Sequence, residues 1–291
     1  MNYLLLHRTT YDYEDPVSVS HHVVRLTPRT LSGQTLRQSR ISITPRPVVT
    51  TEQTDYFGNT ITFFTLEEPH DRLIVEATSD AEVIALQPPD FAASARWELV
   101  RDNLANDCSE EGLDAYQFVF DSRRAEANPK LYEYAHLSFP AGRPLLEGVF
   151  DLMRRIYEDF RFDTEATEVT TPVETFFEKR RGVCQDFAHL QIACLRTMGL
   201  PARYISGYLR TFPPPGKPRV VGADASHAWC SAWCPGAGWV DFDPTNNCLP
   251  SDGHITVAWG RDYSDVSPVH GVLYGGARHK LEVEVDVAPI S

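Results

Sequence analysis

The sequence predicts an α+β protein: an all-β, sandwich-like N-terminal unit, then helices, then an antiparallel sheet. Three observations predict it. Residues 1–86 carry consecutive strand patterns with no helical period between them, the pattern turns helical after Gln87-Pro88-Pro89-Asp90, and a helical run opening at Cys184 is followed by strand patterns alone. The chain therefore divides into an N-terminal β-rich domain, 1–86, and a second domain, 87–291, made of a helical lead-in (90–160), a core (161–260) and C-terminal strands (261–291).

In order, the strand patterns are Tyr3 to Thr9, His22 to Leu26, Ser39 to Thr44, Thr60 to Leu66 and Leu73 to Ala77, separated by Pro, Gly and Asp signals. Tyr56-Phe57-Gly58-Asn59-Thr60 reads as a turn, because Gly and Asn accept positive φ at little cost. Phe91 to Gln117 and Pro129 to Ala135 read as helices with acidic, solvated faces. In Leu145 to Phe160 the apolar positions Leu146, Val149, Phe150, Met153 and Ile156 or Tyr157 recur at helical spacing. After Cys184, the positions Phe187, Leu190, Cys194, Leu195 and Met198 fall on one helical face, and Gly199 with Pro201 ends the helix. Arg203 to Thr211, Val220 to Ala223, His227 to Cys234 and Trp239 to Asp243 read as strands, with loops at Pro213-Pro214-Pro215-Gly216 and Pro235-Gly236-Ala237-Gly238. From Lys280 to Val287 apolar and charged residues alternate, as in a half-buried strand, but the pattern does not say which sheet it joins.

With 42% hydrophobic and 23% charged residues over 291 positions, the chain has the composition of a protein that buries a sizeable core. Its net charge of -13 disfavours nucleic acid and anionic membranes, whose binding relies on Lys and Arg releasing counterions. The apolar run near Met1 is too short for a signal-peptide core, and no stretch is long enough to span a bilayer, so the expected location is the cytoplasm. Six cysteines without disulfide-framework spacing fit a reducing compartment and free thiols.

The chemistry concentrates in Arg181-Gly182-Val183-Cys184-Gln185-Asp186-Phe187, Ser226-His227-Ala228-Trp229 and Asp241-Phe242-Asp243-Pro244-Thr245-Asn246. A thiol attacks as its thiolate, which a helix N-terminus and a nearby imidazole both favour. The first-turn amides beside Cys184 also suit an oxyanion. His189 lies five residues on, about 140° around the helix, and so faces away. His227 instead begins a strand joined by a tight Pro-Gly turn to a return strand holding Asp241 and Asp243. Those two carboxylates share a face, and spacing alone does not choose between them. A cysteine met singly is more often an inert core thiol. Nucleophile, base and carboxylate in one order are what point to acyl transfer.

At these residues the chain resembles the bacterial branch of the transglutaminase-like superfamily. The matching segments are Arg181 to Ala188, Met198-Gly199-Leu200-Pro201-Ala202-Arg203-Tyr204-Ile205-Ser206-Gly207-Tyr208, Ser226 to Trp229 and Gly238 to Asn246; Tyr11 to Val17 and Asp55 to Asn59 resemble the β-rich domain that precedes many bacterial members. The resemblance implies a papain-like core in which Cys184 is the nucleophile, His227 the base and Asp243, directly before Pro-Thr-Asn, the orienting carboxylate. It implies an amide-linked acyl substrate, on a peptide or protein, and no cofactor or metal. With water as acceptor the chain is a peptidase or amidase, the preferred reading; with an amine it is a transglutaminase-type acyltransferase.

Other readings carry less. Cys230, Cys234 and Cys248 evoke zinc, but four strand residues separate the first two by roughly 13 Å. Lys179-Arg180-Arg181 reads as a solvated charge run before it reads as an acidic-substrate site. Trp229, Trp233 and Trp239 read as core packing before groove lining. An arylamine acetyltransferase and a non-catalytic scaffold with a vestigial triad complete the alternatives.

Overall fold

A computed structural model describes residues 1–211 and 224–290; the expected Pro213-Pro214-Pro215-Gly216 loop and Val220 to Ala223 strand lie outside the described residues. The N-terminal part holds β1 (Asn2–Val24), β2 (Gln34–Thr44), β3 (Val49–Thr54), β4 (Thr60–Leu66) and β5 (His70–Val83). Helices α1 (Trp97–Leu104), α2 (Glu110–Tyr116), α3 (Pro129–His136) and α4 (Leu145–Asp159) follow. Then come β6 (Arg161–Phe162), α5 (Val173–Lys179), β7 (Arg181–Gly182) and α6 (Cys184–Thr197). The chain continues through β8 (Ala202–Leu209), β9 (Ala225–Cys234), β10 (Gly238–Phe242), β11 (His254–Gly260), α7 (Tyr263–Val266), β12 (Val269–Gly275) and β13 (His279–Ile290).

The first two expected strands are one strand, β1, and the others grow around it. Along its first half β1 pairs with β5 and β13, along its second with β4 and β12, so two curled antiparallel half-sheets, β2-β5-β1-β13 and β3-β4-β1-β12, share it. Pro16 does not break the strand because it sits where the β5 register jumps from Asp12 to Val17. A proline at such an irregularity leaves no ladder bond unmade. In β5, Leu73, Val75, Ala77, Ser79, Ala81 and Val83 alternate inward at the two-residue strand period.

The C-terminal strands, grouped in sequence with the second domain, pair with the first: Asn2 to Tyr13 of β1 run against Ile290 to His279. A pairing between chain ends leaves no local signature. In β13, Val285, Asp286 and Val287 are all buried while Leu281 and Val283 are exposed, so burial does not follow the expected alternation: the strand is exposed in its first half and buried at 285–287. The expected helix from Phe91 to Gln117 is two helices, because Ser109 caps a new one by accepting the Gly112 N–H (3.0 Å).

The second sheet runs β10-β9-β8-β11, antiparallel throughout. Helix α6 packs on β8 and β9 and is covered by α3, α4 and α5. It is therefore buried all round rather than on one face, and most of its polar groups find hydrogen bonds, Gln191 Oε1 being buried without one. Arg196 donates to the carbonyls of Phe118, Ala202 and Arg261 and to Ser122 Oγ, and Gln191 donates to Val149 O.

Strand β11 is the sheet's edge, and an open edge invites unwanted pairing. Two amide side chains from the N-terminal part close it. Gln34 donates to Thr256 O (2.7 Å) and accepts the Thr256 N–H (2.8 Å), while Asn59 donates to Trp259 O (2.8 Å) and accepts the Trp259 N–H (3.0 Å). The β-rich part thus fixes the strand that opens with His254.

Candidate active site

Cys184 is the first residue of α6, half-buried, after Val183 in extended conformation. Its amide lies in the first turn and has no helical carbonyl to bond. Asp186 holds this entry by accepting the Val183 N–H (2.8 Å) and the Thr167 hydroxyl (2.6 Å). Burial raises the Asp186 carboxyl above its ordinary range, and those two hydrogen bonds oppose the rise. Gly182 permits the close approach: a Cβ there would collide with the Asp186 carboxylate and the Phe176 ring. Gln185, next to Cys184, donates its amide to Val169 O (3.0 Å).

His227, on β9, lies opposite Gly207 of β8, where the missing side chain leaves room for the Trp229 indole. Its Nε2 is 2.7 Å from Asp243 Oδ2, and Cys184 is near enough to favour the protonated imidazole. With Nε2 on the carboxylate, Nδ1 is the nitrogen left for sulfur. The pair left open by spacing is separated by geometry: Asp243 meets His227, while Asp241 accepts the Trp229 indole N–H (3.0 Å).

Asp243 is 0% exposed and accepts five hydrogen bonds. Oδ1 takes the Thr245 and Asn246 amides, and Oδ2 takes His227 Nε2, Asn246 Nδ2 (2.7 Å) and His254 Nε2 (3.1 Å). His254 is the residue that sequence reasoning missed. Its Nδ1 receives the Ser251 N–H (3.5 Å), which leaves Nε2 as the donor to Asp243. Asn246, seen only as part of a motif, clamps the same carboxylate. Among the described residues, His227, Asp243 and His254 are the one cluster with metal-ligand atoms close together, within 4.8 Å. Both imidazoles aim Nε2 at a single carboxylate oxygen, which is hydrogen-bond geometry.

The electrostatics follow from this packing. Burial disfavours charge on His227, but the hydrogen bond to Asp243, the charge of that carboxylate and the neighbouring Cys184 outweigh it, pushing the imidazole up to about 10. Burial likewise opposes the Asp243 carboxylate, and its bonds from His227 and His254 overcome this and hold it well below the carboxylate range. His227 is raised, so its stabilisation is complete below its ordinary value of 6.5 and is lost as pH climbs towards about 10. Asp243 is depressed, so its share is complete above its ordinary 3.8 and is lost in acid. The urea midpoint of the native protein is therefore expected to fall from pH 6.5 to 10 relative to that of His227→Gln; parallel curves would contradict the ion pair.

The remaining expected groups lie elsewhere. His189 faces away and accepts the Tyr263 N–H (3.2 Å), and burial pushes it down to about 3. Cys230 and Cys234 are buried separately, Cys230 against Phe242 O. In the basic run, Arg180 covers the Phe160 and Phe177 rings and Arg181 pairs with Asp163 (3.6 Å). Trp229 and Trp233 are core residues, whereas Trp239 is half-buried against Phe118.

Residues 3–82 match the family described as the bacterial transglutaminase-like N-terminal region, and residues 135–244 match the transglutaminase-like superfamily. An uncharacterized protein of Mycobacterium tuberculosis is 40% identical over 99% of this chain and 92% of its own length. A protein-glutamine gamma-glutamyltransferase of Pseudomonas aeruginosa is 32% identical over 34% of this chain and 15% of its own. Among solved structures, a candidate cysteine protease from Cytophaga hutchinsonii superposes with a TM-score of 0.76 at 21% identity, covering 100% of this chain and 92% of that one. That likeness concerns the fold.

Proposed function

The chain belongs to the transglutaminase-like superfamily, and from that premise we propose that it is a cysteine enzyme that cleaves an amide bond in a peptide or protein through an acyl-enzyme on Cys184. The single observation that carries this reading is the convergence of Cys184, at a helix N-terminus, on His227, itself hydrogen-bonded to Asp243.

In the proposed course the Cys184 sulfur attacks the amide carbonyl while His227, charged by its proton, stands beside it. The carbonyl oxygen takes up negative charge near the first-turn amide of Cys184, whose N–H and helix dipole favour it. His227 then gives its proton to the departing amine, leaving a thioester. Water, deprotonated by the now neutral His227, attacks the thioester and releases the acid. Asp243 keeps Nε2 as the protonated nitrogen and stabilises the imidazolium throughout. Water is favoured over an amine because its concentration is far higher wherever a groove does not exclude it.

Alkylation tests the nucleophile. Iodoacetamide at neutral pH is expected to label Cys184 ahead of exposed Cys108, and His227→Ala is expected to remove that preference. A peptide-amide panel with and without a primary amine then tests the acceptor. Free acid is expected in both arms, and amine incorporation without free acid would instead make the protein a transferase.

A further inference from the structure

Strand β8 turns Tyr204 towards His189 of α6, so Arg203 and Ile205 point to the opposite face of the sheet. There they line a cavity of about 500 Å³ between the core sheet, the 86–89 connection and Leu31-Ser32. Neither Cys184, His227 nor Asp243 is among its lining residues. A volume of this size accommodates a small organic molecule or a short peptide end.

Arg203 is the unusual member of that wall. It is 8% exposed, and its guanidinium carbon packs 4.3 Å from the Trp239 ring centre and 3.9 Å from that of Trp259. Among the described residues the guanidinium makes no hydrogen bond and no ion pair, and Nε is buried without a partner. Buried guanidinium groups are ordinarily paired, because desolvating an uncompensated charge is expensive. Indole rings cover its faces but do not satisfy its in-plane N–H donors. A second guanidinium, that of Arg29, lies 3.4 Å from the Trp259 ring centre and adds positive charge. The one carboxylate on the wall, Asp241, accepts from Trp229 and makes no ion pair with Arg203.

We propose that this cavity is a binding site for a monoanionic carboxylate on an apolar body, held by the fork of Arg203 between Trp239 and Trp259. A carboxylate matches the planar donor pair in two parallel hydrogen bonds. A single negative charge suits a wall that also carries Asp241, where a dianion would be repelled. Leu86, Ile205 and Leu249 provide apolar surface for the rest of the ligand. Burial brings the Arg203 guanidinium down to about 9, against the pull of Asp241, and an incoming carboxylate would restore it. The site stands apart from the acyl-transfer reading and is testable without turnover.

The experiment is calorimetric titration of the full chain carrying Cys184→Ala, so that no amide is consumed. N-acetyl-leucine is expected to bind saturably, and N-acetyl-leucinamide, which lacks only the charge, at least about tenfold more weakly. A pentapeptide ending in leucine separates the two sources of the carboxylate: tighter binding than N-acetyl-leucine assigns a peptide end, weaker binding a free acid. Arg203→Gln is expected to erase the difference between acid and amide. Ala237→Trp, at an exposed rim position, keeps Arg203 and fills the mouth, so it reports even where Arg203→Gln fails to fold; it too is expected to weaken the acid at least about tenfold. Equal binding of acid and amide, undiminished binding by either folded variant, or no saturable binding by any carboxylate would overturn the proposal.

Discussion

Replacing Cys184 with alanine is expected to lower turnover of a peptide amide by on the order of 10⁴-fold or more, with the urea midpoint almost unchanged. The two halves of that expectation have separate origins. Cys184 is only half-buried at the first position of α6, and alanine is a good helix former, so the helix loses little. On the proposed route the chemistry loses the atom that forms the acyl bond, and what remains is the contribution of substrate binding and the oxyanion amide. Steady-state kinetics and equilibrium unfolding on the same preparation check both halves. More than about one per cent residual turnover would exclude the thioester route, since a missing nucleophile is not made up by its neighbours.

Asp243→Ala is expected to damage both activity and stability, which distinguishes it from Cys184→Ala. Five hydrogen bonds converge on a carboxylate with no exposed surface, and alanine leaves His227, His254 and Asn246 with donors aimed at nothing. Breaking a buried charged pair by removing one partner costs about 3–5 kcal/mol. Loss of the orienting carboxylate should lower turnover by about 10⁴-fold, because the imidazole no longer keeps its proton on Nε2. Asp243→Asn is the useful companion, since it retains the volume and can still accept one bond. It should recover part of the stability and little of the turnover. Equal stability of native protein and Asp243→Ala would mean that the carboxylate is not the hub described above.

The sequence shows the local parts of this site well and the long-range parts poorly, for a physical reason in each case. Cys184 at a helix start and Gly199 after its end follow from capping rules that act within a few residues, and α6 does end before Gly199, which adopts a φ of 73°. The His227 and Asp243 hairpin is equally local, since a short turn joins β9 to β10. His254 is different: it reaches Asp243 because β11 lies on the far side of β8, a neighbourhood fixed by sheet order and not by spacing. The inward side chains of α6 show the same limit. Its polar residues resemble a solvated face in sequence, and burial of Arg196 there depends on the Phe118 and Arg261 carbonyls, which distant segments bring to it, beside the nearby one of Ala202.

The pairing of β13 along β1 also has a temporal meaning. A ribosome delivers β1 first, but the strand that covers one side of its first half emerges more than 250 residues later. Until then β1 keeps that side unpaired, open to the wrong strand or to another nascent chain. Contacts of such sequence separation slow folding, because the intervening loop must close before any of them forms. Helix α6 and its sheet are thus complete on the growing chain before β13 finishes the sheet that carries Gln34, so productive assembly is a matter of timing as well as of contacts.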